Sequence, residues 1–240
     1  MKLRIVTHAE HPELRGKLPD LWPEFMHHDE VVSSFWPQLY EVYPDFQLWV
    51  LDGRRLVGHA CTLPVVWDGV PQPNGVDWAV TEGPGGMPTT LCAIVAGLVP
   101  QYRGHGISAV VLGRMTKLAA AHGLDSMIAP VRPTWKERYP LTPIERYVDW
   151  RREDELLYDP WLRTHERLGA ELLAPAPSSM TITGTRDEWE SWTSLQFPED
   201  GEYVVPGALA PVRFEGGTGT YVEPNVWMRH PVEAPQPQPY

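Results

Sequence analysis

Apolar positions along the chain fall into runs with two different periods. "KLRIV" (2–6), "FQLWVL" (46–51) and "LVGHACTLPVVW" (56–67) predict strands. Asp52-Gly53, in the "DGRR" between the last two, signals a hairpin turn. "TTLCAIVAGLV" (89–99) is almost continuously apolar, the pattern of a central strand covered on both faces. In "ISAVVLGRMTKLAAAHG" the residues Ile107, Val110, Val111, Met115, Leu118 and Ala119 recur at spacings of three and four. That spacing predicts an amphipathic helix, with Gly123 as its C-terminal stop. "SMIAPV" (126–131) predicts a further buried strand. Strand, glycine turn, helix and strand from 89 to 131 make the unit of a right-handed crossover.

The flanking pattern is less regular. Residues 11–43 read as helical but are interrupted by Pro12, Pro19, Pro23 and Pro37, which predicts two short helices. Residues 68–88, rich in Gly and Pro, predict a long excursion whose Trp78 could cover a binding site. "DPWLRTHERLG" (159–169) predicts a short helix, with Asp159 as cap, Pro160 in the first turn and Gly169 as stop. Beyond it come a strand in "SMTITG", a helical turn in "RDEWESWTS" and more strand toward Met228. With no internal repeat, the chain predicts one α/β domain with additions.

Composition narrows the function. The 240 residues are 42% hydrophobic, enough for a substantial core. A net charge of −11 and the lack of a Lys/Arg run argue against nucleic acid as a partner. No stretch reaches the roughly 18–20 apolar residues that span a bilayer. "MKLRIVTHAEHPELR" lacks the apolar segment of a secretory signal, so the expectation is a cytoplasmic protein with no membrane partner. Cys61 and Cys92 lie in apolar runs and read as buried free thiols, with a disulfide left open. Without a CxxC pair no metal is expected. His27, His28 and Asp29 diverge around a helix and read as a solvated turn rather than a metal site. The basic stretch of Arg132, Lys136, Arg138, Arg146, Arg151 and Arg152 reads as a solvated face paired with Glu145, Glu153 and Asp154.

"PQYRGHGIS" (100–108) carries the candidate chemistry. A P-loop fails because its lysine is missing. A dinucleotide turn would use Gly104, Gly106 and Ala109 with Asp125, but residues 100–103 intervene between strand and glycines, and Asp125 precedes the next strand instead of ending it. What remains is Gln101-x-x-Gly104-x-Gly106, placed after a buried strand and opening a helix. Glycines there let backbone N–H groups and the positive helix end face a diphosphate.

This stretch resembles motif A of the GNAT superfamily (GCN5-related N-acetyltransferases), and Thr164–Ala170 stands where that family has an "FYxxxGF"-like stretch. The resemblance implies an α/β GNAT fold: a mixed, mostly antiparallel, splayed sheet flanked by helices. The acyl-CoA-binding domain is expected over 1–175, a strand-rich C-terminal extension of the same domain over 176–230, and a flexible Pro-rich tail over 231–240. It also implies acetyl-CoA or another acyl-CoA as cosubstrate, held by Leu98, Val99, Gln101, Tyr102, Arg103, Gly104, His105, Gly106, Ile107 and Ser108. Leu98 and Val99 would offer backbone groups to the pantetheine arm. Ser108 departs from the glycine many members carry.

His165 occupies the position of the family's tyrosine acid, which implies a proton donor to the departing thiolate. "PTWKERYPLTPIERY", "DPWLRTHERLG" and "SMTITG" further resemble the GNAT-like decarboxylase domains of polyketide synthase loading modules. In those, a threonine and a histidine act on malonyl-type thioesters, and Thr134 and His165 would be that pair. The first expectation is acyl transfer to an amine on a small-molecule substrate. The alternatives are decarboxylation, with an acyl carrier protein as a second candidate partner, and a non-catalytic CoA-binding module.

Overall fold

The computed structural model describes residues 1–232; the expected Pro-rich tail lies, from residue 233 on, outside the described residues. In chain order the elements are β1 (Leu3–Thr7), α1 (Glu30–Glu41), β2 (Gln47–Asp52), β3 (Arg55–Val65), α2 (Gly75–Thr81), β4 (Thr90–Leu98), α3 (Ile107–Ala121) and β5 (Ser126–Val131). They continue with α4 (Ile144–Tyr147), α5 (Pro160–Arg167), β6 (Glu171–Thr185), α6 (Arg186–Thr193), β7 (Gly201–Tyr203), β8 (Val212–Glu215) and β9 (Thr218–Pro231). Among the described residues no helix is long and apolar enough to cross a membrane.

The nine strands form one mixed sheet in the order β1-β2-β3-β4-β5-β9-β8-β7, with β6 on the other edge of β9. β4 and β5 are parallel and joined by α3; the other pairs are antiparallel. β9 serves two neighbours along one edge, β8 near Thr218–Thr220 and β5 along Val226–Pro231. The expected boundary at residue 175 falls within β6, which pairs with β9 along nearly its whole length.

The pairing of β4 with β5 is brief. It runs from Thr90–Ser126 through Leu91–Met127 to Cys92–Ile128, after which the strands part. One face of this fork carries α3 and α5, whose Val111, Met115 and Leu162 pack on Leu91, Met127, Ala129, Val226 and Met228. The opposite face carries α1 and α2, packed on Leu63, Cys92, Ile128 and Trp227. A third cluster around Trp189, Phe197 and Phe214 fills the β7–β8 end. Cys61 and Cys92 are free, buried thiols.

Three local readings change. α1 runs through Pro37 as one helix, because proline at its eighth residue loses a single backbone bond while Leu39 and Tyr40 remain buried. The 68–88 excursion contains α2, held to the sheet by apolar burial of Val76, Trp78, Ala79 and Val80. α2 starts at Gly75, where a Cβ would come within 2.2 Å of Ser179 Oγ, so only glycine lets it seat on β6. The basic stretch is also not wholly solvated. Lys136 is buried and donates to the carbonyls of Tyr139 and Leu209, and burial pushes its pKa down to about 8.

Asp159 ties α5 back to the segment that leaves β5. Its Oδ1 caps α5 at Trp161 N and Leu162 N, while Oδ2 accepts from Trp135 N at 2.7 Å and Tyr147 OH at 2.9 Å. Asp159→Ala removes a cap and strands buried donors, so we expect a loss of roughly 2–4 kcal/mol. A lower urea midpoint at unchanged m-value measures it; a shift within error would contradict this role for Asp159.

Candidate active site

The glycine turn leaves β4 through a short helical turn at Pro100–Tyr102 and enters α3 at Gly106. Gly104 (φ +78°) and Gly106 (φ +75°) are both left-handed, which glycine adopts freely and other residues resist. Neither would meet any atom within 4 Å if it carried a Cβ, so the turn faces open space. Ile107 is buried and anchors the helix start. α1, α5 and α6 begin with side-chain caps from Asp29, Asp159 and Thr185. α3, the longest helix, has no side-chain cap, so its first-turn N–H groups face outward without a local acceptor.

The other motif residues divide by role. Gln101, Arg103, Gly104 and His105 are exposed, and Ser108 is half-buried. Arg103 Nε donates to Leu98 O at 3.0 Å, and Tyr102 OH reaches back to Asp52 at 3.1 Å. Val99 does not offer the free backbone expected of it, because its N–H bonds Val57 O and its carbonyl accepts from Tyr102 N. The available backbone lies earlier. β4 bulges between Ala93 and Val95, leaving Ile94 outside the register with β3. From Ala93 to Gly97 the β4 edge that faces the fork has no strand beside it among the described residues.

His165 and Thr134 come from two segments joined by Asp159, which accepts from Trp135 N beside Thr134 and caps α5. Thr134 is exposed in the turn beyond the open end of β5. His165 is buried on α5, with Nδ1 2.9 Å from His230 Nε2 and its ring 4.5 Å from that of Trp161. His230 lies opposite Met127, beside the last β4–β5 pair. The rise from Met127 to Val131 alone is about 13 Å. His165 therefore sits at the apex of the fork and Thr134 beyond its mouth. Burial, then the neighbouring His230, hold His165 well below the usual histidine range; burial pushes His230 down to about 4.

The α2 face carries acidic groups, of which the sequence singled out only Asp29, as part of a solvated turn. Ser179 Oγ accepts from Val76 N and donates to Asn225, whose amide donates to Glu223. Glu223 also accepts from Tyr221 OH and pairs with Arg132 at 2.6 Å, one residue past β5. This chain of contacts links the start of α2 to Arg132 at the end of β5, and Asp77 follows one residue after Val76. Asp29 lies close enough to raise the Asp77 pKa. Asp29 is fully buried, contrary to the solvated-turn reading, because it caps α1 through Val32 N. Oδ2 of Asp29 and Oδ1 of Asp77 are buried without a hydrogen-bond partner among the described residues. Burial, then Asp29, pushes Asp77 up to about 7, and burial raises Asp29. Across the mouth, Leu21 lies against Gly97 of β4 while the Trp22 ring sits 6.0 Å from the Arg132 guanidinium. Residues 21 and 22 thus strap the two prongs. Among the described residues no cluster of three metal-ligating side chains is present.

The parting of a parallel strand pair, with a glycine turn opening the connecting helix, is the GNAT fold, and by its likeness to a curated relative the chain belongs to the GNAT superfamily of acyltransferases. It is 30% identical over 259 aligned residues to the arginine N-acetyltransferase avaD of Aspergillus versicolor, covering 93% of this chain and 88% of that protein. No protein-family model matches the sequence. The fold is shared with the loading GNATL domain of CurA from Lyngbya majuscula, with a TM-score of 0.64 at 16% identity over 96% of this chain and 97% of that one. It is shared too with the GphF GNAT-like decarboxylase in complex with isobutyryl-CoA, with a TM-score of 0.59 at 14% identity over 97% and 100%.

The Asp77 carboxyl binds its proton more tightly in the folded chain than in the unfolded one. Its contribution to folding is fully present only below the ordinary value of 3.8, is lost as pH rises from there to about 7, and is constant above that. Asp77→Asn is expected to raise the urea midpoint at pH 8 more than at pH 5.5. An equal change at both pH values would mean that Asp77 ionises normally.

Proposed function

We propose that the chain transfers the acyl group of an acyl-CoA to nitrogen of a cationic, arginine-like acceptor. The observation that carries this is the continuity of the open fork with the uncapped glycine turn. A diphosphate would lie on the N–H groups of Gly104 to Ser108, with the exposed Gln101 and the free end of Arg103 beside it. The pantetheine arm would then run down the fork, its amides meeting the β4 edge between Ala93 and Gly97. That path brings the thioester toward the apex at Cys92 and Ile128, beside His165.

Attack on a thioester carbonyl needs an uncharged nitrogen, a donor for the developing oxyanion and a proton for the leaving sulfur. The fork's backbone N–H groups supply the donor, and His165 handles the proton. The acceptor would enter from the α2 face. Asp29 and Asp77 form a desolvated acidic pair there, which favours a guanidinium or ammonium group. The acceptor named for the 30% identical relative supports the same class.

The test pairs acetyl-CoA with arginine, lysine, and citrulline as a neutral isostere of arginine, with products identified by mass. Arginine is expected to exceed citrulline by roughly 10-fold or more in kcat/KM, since a charge-assisted bond to a buried carboxylate is worth about 1.5–3 kcal/mol. Asp77→Asn should erase most of that preference. Gly106→Val should weaken acyl-CoA binding at least tenfold by straining the turn. Conversion of malonyl-CoA to acetyl-CoA with no amine acylated would establish decarboxylation instead. Tight CoA binding with neither reaction would leave a non-catalytic module.

A further inference from the structure

His165 has a partner on β9 that no sequence motif marks. His165 and His230 are both buried, at 1% and 2% exposure, and their rings lie 5.0 Å apart. The Nδ1–Nε2 distance of 2.9 Å requires one proton between the two nitrogens. Trp161, one turn earlier on α5, packs edge-on against His165 and fixes its ring. Nε2 of His165 is buried with no partner among the described residues. His230 is the titratable group whose charge bears on His165, and burial keeps both rings neutral near pH 7.

The shared proton links the two tautomers. If His230 Nε2–H donates, His165 carries its own proton on Nε2. That proton cannot go to a thiolate without leaving an imidazolate, and Nε2 has no lone pair to accept one. If instead His165 Nδ1–H donates to His230, the proton of His230 moves to its Nδ1. The free Nε2 of His165 is then a bare base. Only this second arrangement lets His165 both take a proton and pass it on.

We propose that His230 is a positioning residue that holds His165 in the Nδ1–H form, making His165 a proton shuttle. This rests on the acyl-transfer reading above. The acceptor nitrogen forms a bond to the thioester carbon, and its surplus proton moves to His165 Nε2. The C–S bond then breaks, and the same proton passes from Nε2 to the departing sulfur, giving free CoA thiol. His230 accepts from Nδ1–H throughout and steadies the transient imidazolium.

Long-range 1H–15N spectra of histidine-labelled protein read the tautomers directly. The expected result is Nδ1–H on both rings, with a bare Nε2 on His165. A proton on His165 Nε2 would overturn the proposal, whatever the acceptor proves to be. Kinetics give a second readout. His230→Phe removes the acceptor and should lower kcat at least tenfold with acyl-CoA binding and KM unchanged. His230→Gln, whose carbonyl can accept from Nδ1–H, should recover most of that loss. Equal losses in both variants would reduce His230 to packing. If the wild type acylates amines and His165→Ala is equally fast, the shuttle fails while acyl transfer stands. If the wild type acylates no amine, acyl transfer and the shuttle fail together, and the spectra still decide the tautomer.

Discussion

The parting of β4 from β5 after Cys92–Ile128 is the constraint on which the rest depends. Backbone N–H and C=O groups must find partners, and two strands that separate inside a domain leave facing edges unpaired. The separation is enforced from both sides. On the β4 side a bulge at Ile94 turns the strand, while β3 keeps it paired up to Leu98. On the β5 side β9 pairs the far edge through Val131 and holds that prong away. The gap is thus a built feature of the sheet.

The two faces of the gap differ in chemistry. The α3–α5 face is mostly apolar, with the His165–His230 pair at the apex and the buried Asp159 and Arg163 at the start of α5 and within it. The α1–α2 face carries Asp29, Asp77 and Glu223, of which Glu223 is paired with Arg132. Buried carboxylates without a cation are costly, and a site that must draw a cation out of water is one place where that cost is tolerated. Under the proposed acyl transfer, a thioester in the gap would meet acid-rich surface on one side and the His165 imidazole on the other.

Much of the scaffold is legible in the sequence because its signals are local. The three-and-four spacing of α3, the Asp52-Gly53 turn and the unbroken apolar run of β4 each depend on neighbours within a few positions. So does the capping of α5 by Asp159. The glycine turn is legible for the same reason. What escapes is nonlocal. α2 is hidden in a Gly- and Pro-rich stretch, because its stability comes from burying Trp78 against Trp227 rather than from propensity. Asp29 reads as solvated because charged residues usually are, and its burial depends on α2 and β6 closing over it. His230 stands in a strand 65 positions from His165, with no motif around it.

The placement of β9 also bears on the order in which the molecule can be built. β5 is the outer prong of the fork, yet its free edge is closed only by residues 226–231. Until those residues leave the ribosome, the unit from β1 to β5 ends in an apolar edge strand with unpaired backbone. The glycine turn can therefore form early, while the apex histidine, the acidic wall and the β5 prong wait for β9. Synthesis itself thus delays the enzyme's competence, and a nascent chain stalled before β9 presents the edge most prone to wrong pairing.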